Sequence, residues 1–211
     1  MFDKATMDIL PSSSVLRVHL FRHGHVSGSR LCRGQADVTL SDQGLLQTAR
    51  TADWFRRRQP APDRVISSDL GRCRNLAEAF GSPVQLERAL REQDMGLWDG
   101  RPWEELTKED PAGTLEYWND YVRARPPGGE SYGDCFSRVT GWWDQEAPKT
   151  GAVVVVTHVG VIRALMCHWL GLPVGDALRW APPYASHTQV LLAEAGAVVE
   201  RFGEEIGRAH V

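Results

Sequence analysis

The sequence predicts an α/β fold: a three-layer α/β/α sandwich with a mostly parallel central sheet. Three observations carry this. Short apolar runs rich in strand formers alternate with stretches of helical periodicity, giving β-α-β-α from the first strand onward. The most apolar run, Ala152 to Val156, reads as a central strand buried on both faces. Finally, 42% hydrophobic and 24% charged residues across 211 positions suit one well-buried core rather than a disordered or disulfide-framed chain.

Val15 to Phe21 is the first strand, and it ends at Arg22-His23-Gly24, where glycine permits a sharp turn. A helix follows, with Ser41 as its cap and Leu45, Ala49, Ala52 and Phe55 as its apolar stripe, stopped by Pro60 and Pro62. Arg64 to Ser67 is the second strand. Leu70, Cys73, Ala77 and Phe80 then mark a second helical face, with Ser68 and Asp69 as cap-type residues before it and Gly81 and Pro83 closing it. Val84 to Leu90 reads as a short strand, and Trp98 to Tyr121 as helices draped over one side. After the break at Pro126-Pro127-Gly128-Gly129, a helix from about Ser131 to Glu146 uses Phe136, Val139 and Trp143. The central strand feeds Thr157-His158-Val159-Gly160 and a helix carrying Val161, Leu165 and Trp169, and a closing hairpin spans His187 to Leu192 and Ala197 to Phe202. Ligand sites of such sheets lie outside the carboxyl ends of the strands, where both Arg22-His23-Gly24 and Thr157-His158-Val159-Gly160 fall.

A net charge of −3 leaves no whole-chain field for nucleic acid or anionic lipid, so any anion site is built locally. Arg56-Arg57-Arg58 fits a helix C-terminus facing solvent. Cys32, Cys73, Cys135 and Cys167 form no C-x-x-C pair, and the start of the chain lacks a signal-peptide pattern, so a reducing, cytoplasmic setting is expected, with no membrane span. Residues 1–14 read as an N-terminal extension and 15–204 as one domain. The last seven residues, 205–211, match the translation of a widely used sequencing adapter and are expected to be an artefact outside the fold.

A histidine at a strand end between arginine and glycine suits a nucleophile facing a phosphate: imidazole attacks phosphorus, guanidinium binds two oxygens, and glycine lets the backbone approach. The tripeptide alone is only suggestive. It is followed, in order, by Arg33-Gly34-Gln35 through Gly44, Ser67-Ser68-Asp69-Leu70-Gly71-Arg72, Glu92-Gln93-Asp94 through Gly100, Pro127-Gly128-Gly129-Glu130-Ser131 and Val156-Thr157-His158-Val159-Gly160. This series resembles the histidine phosphatase superfamily in its phosphoglycerate-mutase-like branch, over roughly Leu16 to Leu172, and within it the small phosphatases.

The resemblance implies a phosphoglycerate-mutase-like fold and a phosphomonoesterase working without cofactor or metal through phosphohistidine. It makes His23 the nucleophile, Arg22, Arg72 and His158 the phosphate pocket, and Glu92 the acid and base, with Asp94 its rival. Ser29, Arg33 and Val159 join Arg22, Arg72 and His158 as expected substrate contacts. A helix-start Arg72 and a strand-end His158 agree with this, since cationic side chains and free helix N–H groups converge on one dianion. Taken singly, Arg72 reads as a surface charge and His158 as a core histidine; the constellation reverses both. Two departures stand out: His25 replaces the family's usual Glu or Gln, and Ser29 replaces the mutases' asparagine, which weakens a mutase reading. The pair His23-x-His25 raises a metal-hydrolase alternative, for which no third ligand motif follows. A noncatalytic phospho-ligand module is the remaining rival. Trp98, Trp103, Trp118, Trp142, Trp143 and Trp169 read as core rather than substrate platform, although Trp98 and Trp103 lie near the expected acid. The expected partner is a small phosphorylated metabolite, with no nucleic acid and no membrane; a homodimer is compatible with the sequence.

Overall fold

The computed structural model describes residues 15–28 and 30–206. Six strands form one sheet in the order β3-β2-β4-β1-β5-β6: β1 (Leu16–Arg22), β2 (Arg64–Ser68), β3 (Val84–Glu87), β4 (Gly151–Thr157), β5 (Ser186–Ala193) and β6 (Gly196–Glu205). The helices are α1 (Asp42–Arg58), α2 (Gly71–Glu78), α3 (Trp103–Glu109), α4 (Pro111–Asn119), α5 (Tyr132–Glu146) and α6 (Val159–Trp169). The sheet is mixed rather than mostly parallel. Three ladders, β1/β4, β2/β4 and β2/β3, are parallel, but the closing hairpin lays β5 antiparallel on β1 and β6 antiparallel on β5. A two-residue hairpin turn can only join antiparallel neighbours, and β1 was the edge left for it.

The β4 valines show why the sheet is covered twice. Val153 and Val155 enter one core with Leu20, Val139, Ile162 and Leu165, beneath α5 and α6. Val154 and Val156 enter a second with Phe21, Phe55, Cys73 and Leu76, beneath α1 and α2. All four valines are fully buried. Each contributes roughly 1.5–3 kcal/mol relative to exposure. A third, smaller cluster of Cys32, Met95, Trp98, Leu106 and Tyr117 seats α3 and α4.

Several local expectations change. Leu45 is half exposed and Ala49 is exposed; Gly44, Thr48, Thr51, Ala52 and Phe55 face inward instead. The cause is Gly44, where a Cβ would lie 2.0 Å from the His25 carbonyl oxygen: α1 approaches the turn after β1 too closely for any side chain. Ser41 caps α1 as expected, and Ser131 caps α5 in a capping box with Asp134. Asp69 does not cap α2. It pairs with Arg91, while Ser68 Oγ accepts from the Leu70 N–H at 3.4 Å. The strand expected over 84–90 stops at Glu87, whose carboxylate takes the Ala89 N–H and turns the chain. β6 runs past Phe202 to Glu205, which pairs with Ser186, so the first of the seven residues set apart lies in the sheet. Residues 1–14 and 207–211 lie outside the described residues. The four cysteines are buried and free, and among the described residues no helix is long and apolar enough to cross a membrane.

Candidate active site

The register of the parallel strands brings the chemistry together. β1 and β4 pair along their full lengths, from Leu16↔Gly151 to Arg22↔Thr157, so His23 and His158 leave adjacent strands side by side. The His23 N–H donates to the Thr157 carbonyl at 3.1 Å, and the two imidazole centroids lie 5.2 Å apart. β2 ends beside them at Ser68 and leads into α2 with Arg72.

His23 is 5% exposed and lines a cleft of about 240 Å³. Its Nδ1 lies 2.8 Å from the Gly24 carbonyl oxygen. A carbonyl only accepts, so Nδ1 carries the ring proton and Nε2 keeps its lone pair. Burial, reinforced by the charges of Arg72 and Arg22, holds the imidazole well below its usual pKa, so it is neutral near pH 7.

Arg72 is buried and spends three donors on the protein: Nη1 to Ala36 O at 2.6 Å, Nη2 to Gly34 O at 2.6 Å and Nε to His158 Nδ1 at 3.3 Å. Two of its five N–H groups remain for the cleft it lines. His158 stands between Arg72 and Ser68. With Nδ1 accepting from Arg72, its Nε2 donates to Ser68 Oγ at 2.9 Å, and the ring does not line the cleft. Its Nδ1 thereby holds the Nε of Arg72.

Arg22 is bracketed by the chain before β5. Its Nη1 donates to Pro182 O at 2.9 Å, and its Cζ sits 3.7 Å from the centre of the Tyr184 ring. Ala185, held at φ 54, turns the chain there and donates its N–H to the His23 carbonyl at 3.0 Å. Among the described residues Arg22 Nε is buried without a partner, a cost of roughly 1–3 kcal/mol that an anion would relieve. Arg33 also lines the cleft, with Nη2 on the Ser27 and Gly28 carbonyls. Ser29 lies outside the described residues.

Glu92 and Val159 line the cleft and Asp94 does not. The Glu92 carboxyl rests on the first turn of α6, accepting the Gly160 N–H at 3.1 Å (Oε1) and 3.3 Å (Oε2), with the Gln93 N–H at 3.2 Å. A Cβ on Gly160 would stand 2.2 Å from Glu92 Oε1, so only glycine admits the carboxyl here. Asp94 instead closes a turn through the Gly96 N–H at 2.9 Å. His25 is also occupied, with Nδ1 2.8 Å from Ser41 Oγ and its ring edge-on to Tyr184. Among the described residues no three His, Cys, Asp or Glu side chains are grouped for a metal ion.

Two tryptophans read as core belong to the cleft: Trp103 and Trp118, the latter 52% exposed, form its wall with Tyr117 and Tyr121. Arg163 and Tyr184 were missed. Arg163 follows Val159 by four residues on α6, a helical spacing that offered a signal; Tyr184 lies in an irregular Pro-Pro-Tyr stretch that offered none.

The sequence model of the Histidine phosphatase superfamily (branch 1) matches residues 18–205. A glucosyl-3-phosphoglycerate phosphatase of Mycolicibacterium vanbaalenii is 38% identical over 178 residues, 77% of this chain and 77% of that protein. A probable phosphoglycerate mutase of Salmonella paratyphi C is 32% identical over 203 residues, covering 90% and 94%. Among solved structures, a mycobacterial glucosyl-3-phosphoglycerate phosphatase superposes with a TM-score of 0.76 at 27% identity, over 90% of this chain and 99% of its own. A structure described as a putative alpha-ribazole-5'-P phosphatase from Escherichia coli gives 0.84 at 24% identity over 92% and 99%, a likeness of fold.

Proposed function

The chain belongs to the histidine phosphatase superfamily and is a phosphatase, and from this premise we propose that it hydrolyses a small phosphomonoester in two steps through His23. In the first, Nε2 attacks phosphorus, the bond from phosphorus to the alcohol oxygen breaks, and Glu92 in its acid form gives that oxygen a proton. In the second, Glu92 takes a proton from water, the water oxygen attacks phosphorus, and the bond to Nε2 breaks, restoring neutral His23 and releasing phosphate. Arg22 and Arg72 offer charge to the phosphoryl oxygens in both transition states. His158 acts through Arg72 by fixing its guanidinium.

The observation that carries this reading is the Nδ1–H bond of His23 to the Gly24 carbonyl, which leaves a neutral ring with Nε2 as its basic nitrogen in an arginine-lined cleft. Rapid-quench labelling with a radioactive phosphomonoester tests it. The expected result is an acid-labile, base-stable phosphoryl group, absent from His23→Ala, which also loses turnover. Full activity in His23→Ala, or activity removed by chelator and restored by zinc, would overturn the reading in favour of metal-assisted hydrolysis.

The names of the two similar proteins given above point to phosphoglycerate and its esters as substrates to test first. With phosphoglycerate as substrate, release of inorganic phosphate supports a phosphatase, whereas conversion to a positional isomer supports a mutase.

A further inference from the structure

Glu92 stands outside any helix or strand, on the chain between β3 and the turn at Gly96, so no ladder places its backbone. Side chains do this instead. Arg138, on α5, donates from Nη1 to the Ala89 carbonyl at 2.7 Å and the Arg91 carbonyl at 3.1 Å, and from Nη2 to the Glu92 carbonyl at 3.3 Å. Its Nε donates to Glu130 Oε2 at 3.2 Å, and Nη2 also reaches Glu130 Oε1. All five N–H groups of the guanidinium are engaged.

Glu130 completes the clamp. Its Oε1 accepts the Asp94 N–H at 2.9 Å, its N–H donates to the Asp94 carbonyl at 3.0 Å, and its carbonyl accepts Gln93 Nε2 at 2.8 Å. One largely buried ion pair thus holds the chain on both sides of the acid, and Gln35 Nε2 adds a bond to the Glu92 carbonyl at 3.3 Å. The carboxyl of Glu92 goes the other way: Glu92 lines the cleft, whereas Arg138 and Glu130 line a separate polar groove. Three carbonyl dipoles converging on one point repel one another unless a cation stands there, so the local backbone shape depends on Arg138.

We propose that Arg138, backed by Glu130, is a positioning residue for the proton transfer: it fixes the backbone of Glu92 from behind, so that the carboxyl stays within reach of the departing alcohol oxygen. The assignment rests on the reading of Glu92 as the acid. Arg22 and Arg72 share no hydrogen-bond partner with Arg138 among the described residues, so the phosphate end does not depend on the clamp.

The test compares single-turnover phosphorylation by an alkyl phosphate, which needs the acid's proton, with that by p-nitrophenyl phosphate, which does not. Arg138→Ala is expected to slow the alkyl ester on the order of 10²-fold and the nitrophenyl ester only a few-fold, with inhibition by inorganic phosphate within about twofold of wild type. That variant strands the Glu130 carboxylate and endangers the fold. Arg138→Lys keeps a cation opposite Glu130 but loses the planar fork, and is expected to slow the alkyl ester about tenfold with the same contrast. Added to Glu92→Gln, Arg138→Lys is expected to cost the alkyl ester nothing further, because a residue that acts through Glu92 has nothing left to position. An equal loss on both esters would overturn the proposal, as would no loss in Arg138→Lys or a full additive loss in the double variant, which marks a merely structural pair. The acid reading fails separately, if Glu92→Gln itself shows no contrast between the esters; the clamp then loses its object as well.

Discussion

Replacing Gly160 with alanine separates the proton donor from the phosphate-binding groups. The new Cβ would stand 2.2 Å from Glu92 Oε1 and 3.2 Å from its Cδ. To reach ordinary contact the carboxyl must retreat by about 1.2 Å, and a misplacement of about 1 Å costs on the order of 10²-fold in rate. The atom that must move is the far end of a side chain, not backbone, and alanine is favoured over glycine in a helix by about 1 kcal/mol. Stability is therefore expected to hold while catalysis suffers. An alkyl phosphate departs as a poor alkoxide and needs the proton in its transition state, whereas p-nitrophenolate leaves without one. Single-turnover phosphorylation of Gly160→Ala is expected to slow about 10²-fold on an alkyl phosphate and only a few-fold on p-nitrophenyl phosphate, with the melting temperature within a few degrees of wild type. An equal loss on both substrates would refute the reasoning, as would a collapse in melting temperature.

The same pair of substrates sorts other residues. Glu92→Gln is expected to reproduce the leaving-group contrast and Asp94→Asn to lack it, whereas Arg72→Ala harms both substrates alike; the contrast appearing in Asp94→Asn would transfer the acid role there. Tyr184→Leu removes the ring under Arg22, an interaction of about 0.5–2 kcal/mol, so inhibition by inorganic phosphate is expected to weaken roughly 2- to 30-fold, and an unchanged inhibition constant would count against the bracket. Gly44→Ala drives a Cβ onto the His25 carbonyl, with no side chain to yield, so urea unfolding is expected to show a loss of about 3 kcal/mol together with lost activity. Burial lowers His19 to about 4 and His187 to about 3, with Nδ1 of the first 3.0 Å from Nε2 of the second. The unfolded chain takes up protons below its usual histidine pKa of about 6.5 while the folded one does not, so stability falls as pH drops from 6.5 toward 4, by up to about 1.4 kcal/mol per pH unit for each histidine. Unfolding free energies that stay flat between pH 7 and 5 would contradict this.

What the sequence discloses follows from the range of the interactions involved. The strand ends at Arg22-His23-Gly24 and Thr157-His158-Val159-Gly160, the caps Ser41 and Ser131, and the doubly buried β4 valines are set by neighbours within a few positions, so pattern and spacing reveal them. The stripe of α1 misleads because its inward face is fixed by a contact across the fold, Gly44 against His25, and a helix with leucines at 45 and 46 gives no local sign of it. Tyr184 reaches Arg22 from 162 positions away through a turn at Ala185, and Arg163 gains its place by an anchor on Trp180. The motif marks His158 for the pocket, and the hydrogen bonds of its two ring nitrogens to Arg72 and Ser68 follow from three strand ends in register, which no local pattern discloses.

The four central strands and the chain after Trp98 contribute to the cleft in different ways. His23, Arg72 and Glu92 are held by strand register, a helix start and backbone amides, and the aromatic wall touches that frame at its margin, where Tyr117 Oη donates to Gln93 Oε1 at 3.1 Å and the Tyr121 ring packs on Tyr132. Those aromatic residues arrive on α3, α4 and the turn that follows, seated on a small apolar cluster of their own. Transplanting residues 100–125 from a related enzyme, with Asp99 kept because its carboxylate holds the Gly34 and Ala36 N–H groups on whose carbonyls Arg72 is seated, would thus exchange the wall that meets the alcohol and leave the phosphate machinery in place. Such grafts offer a route to new hydrolases in which selectivity is rebuilt one surface segment at a time, without a fresh search for the reaction itself.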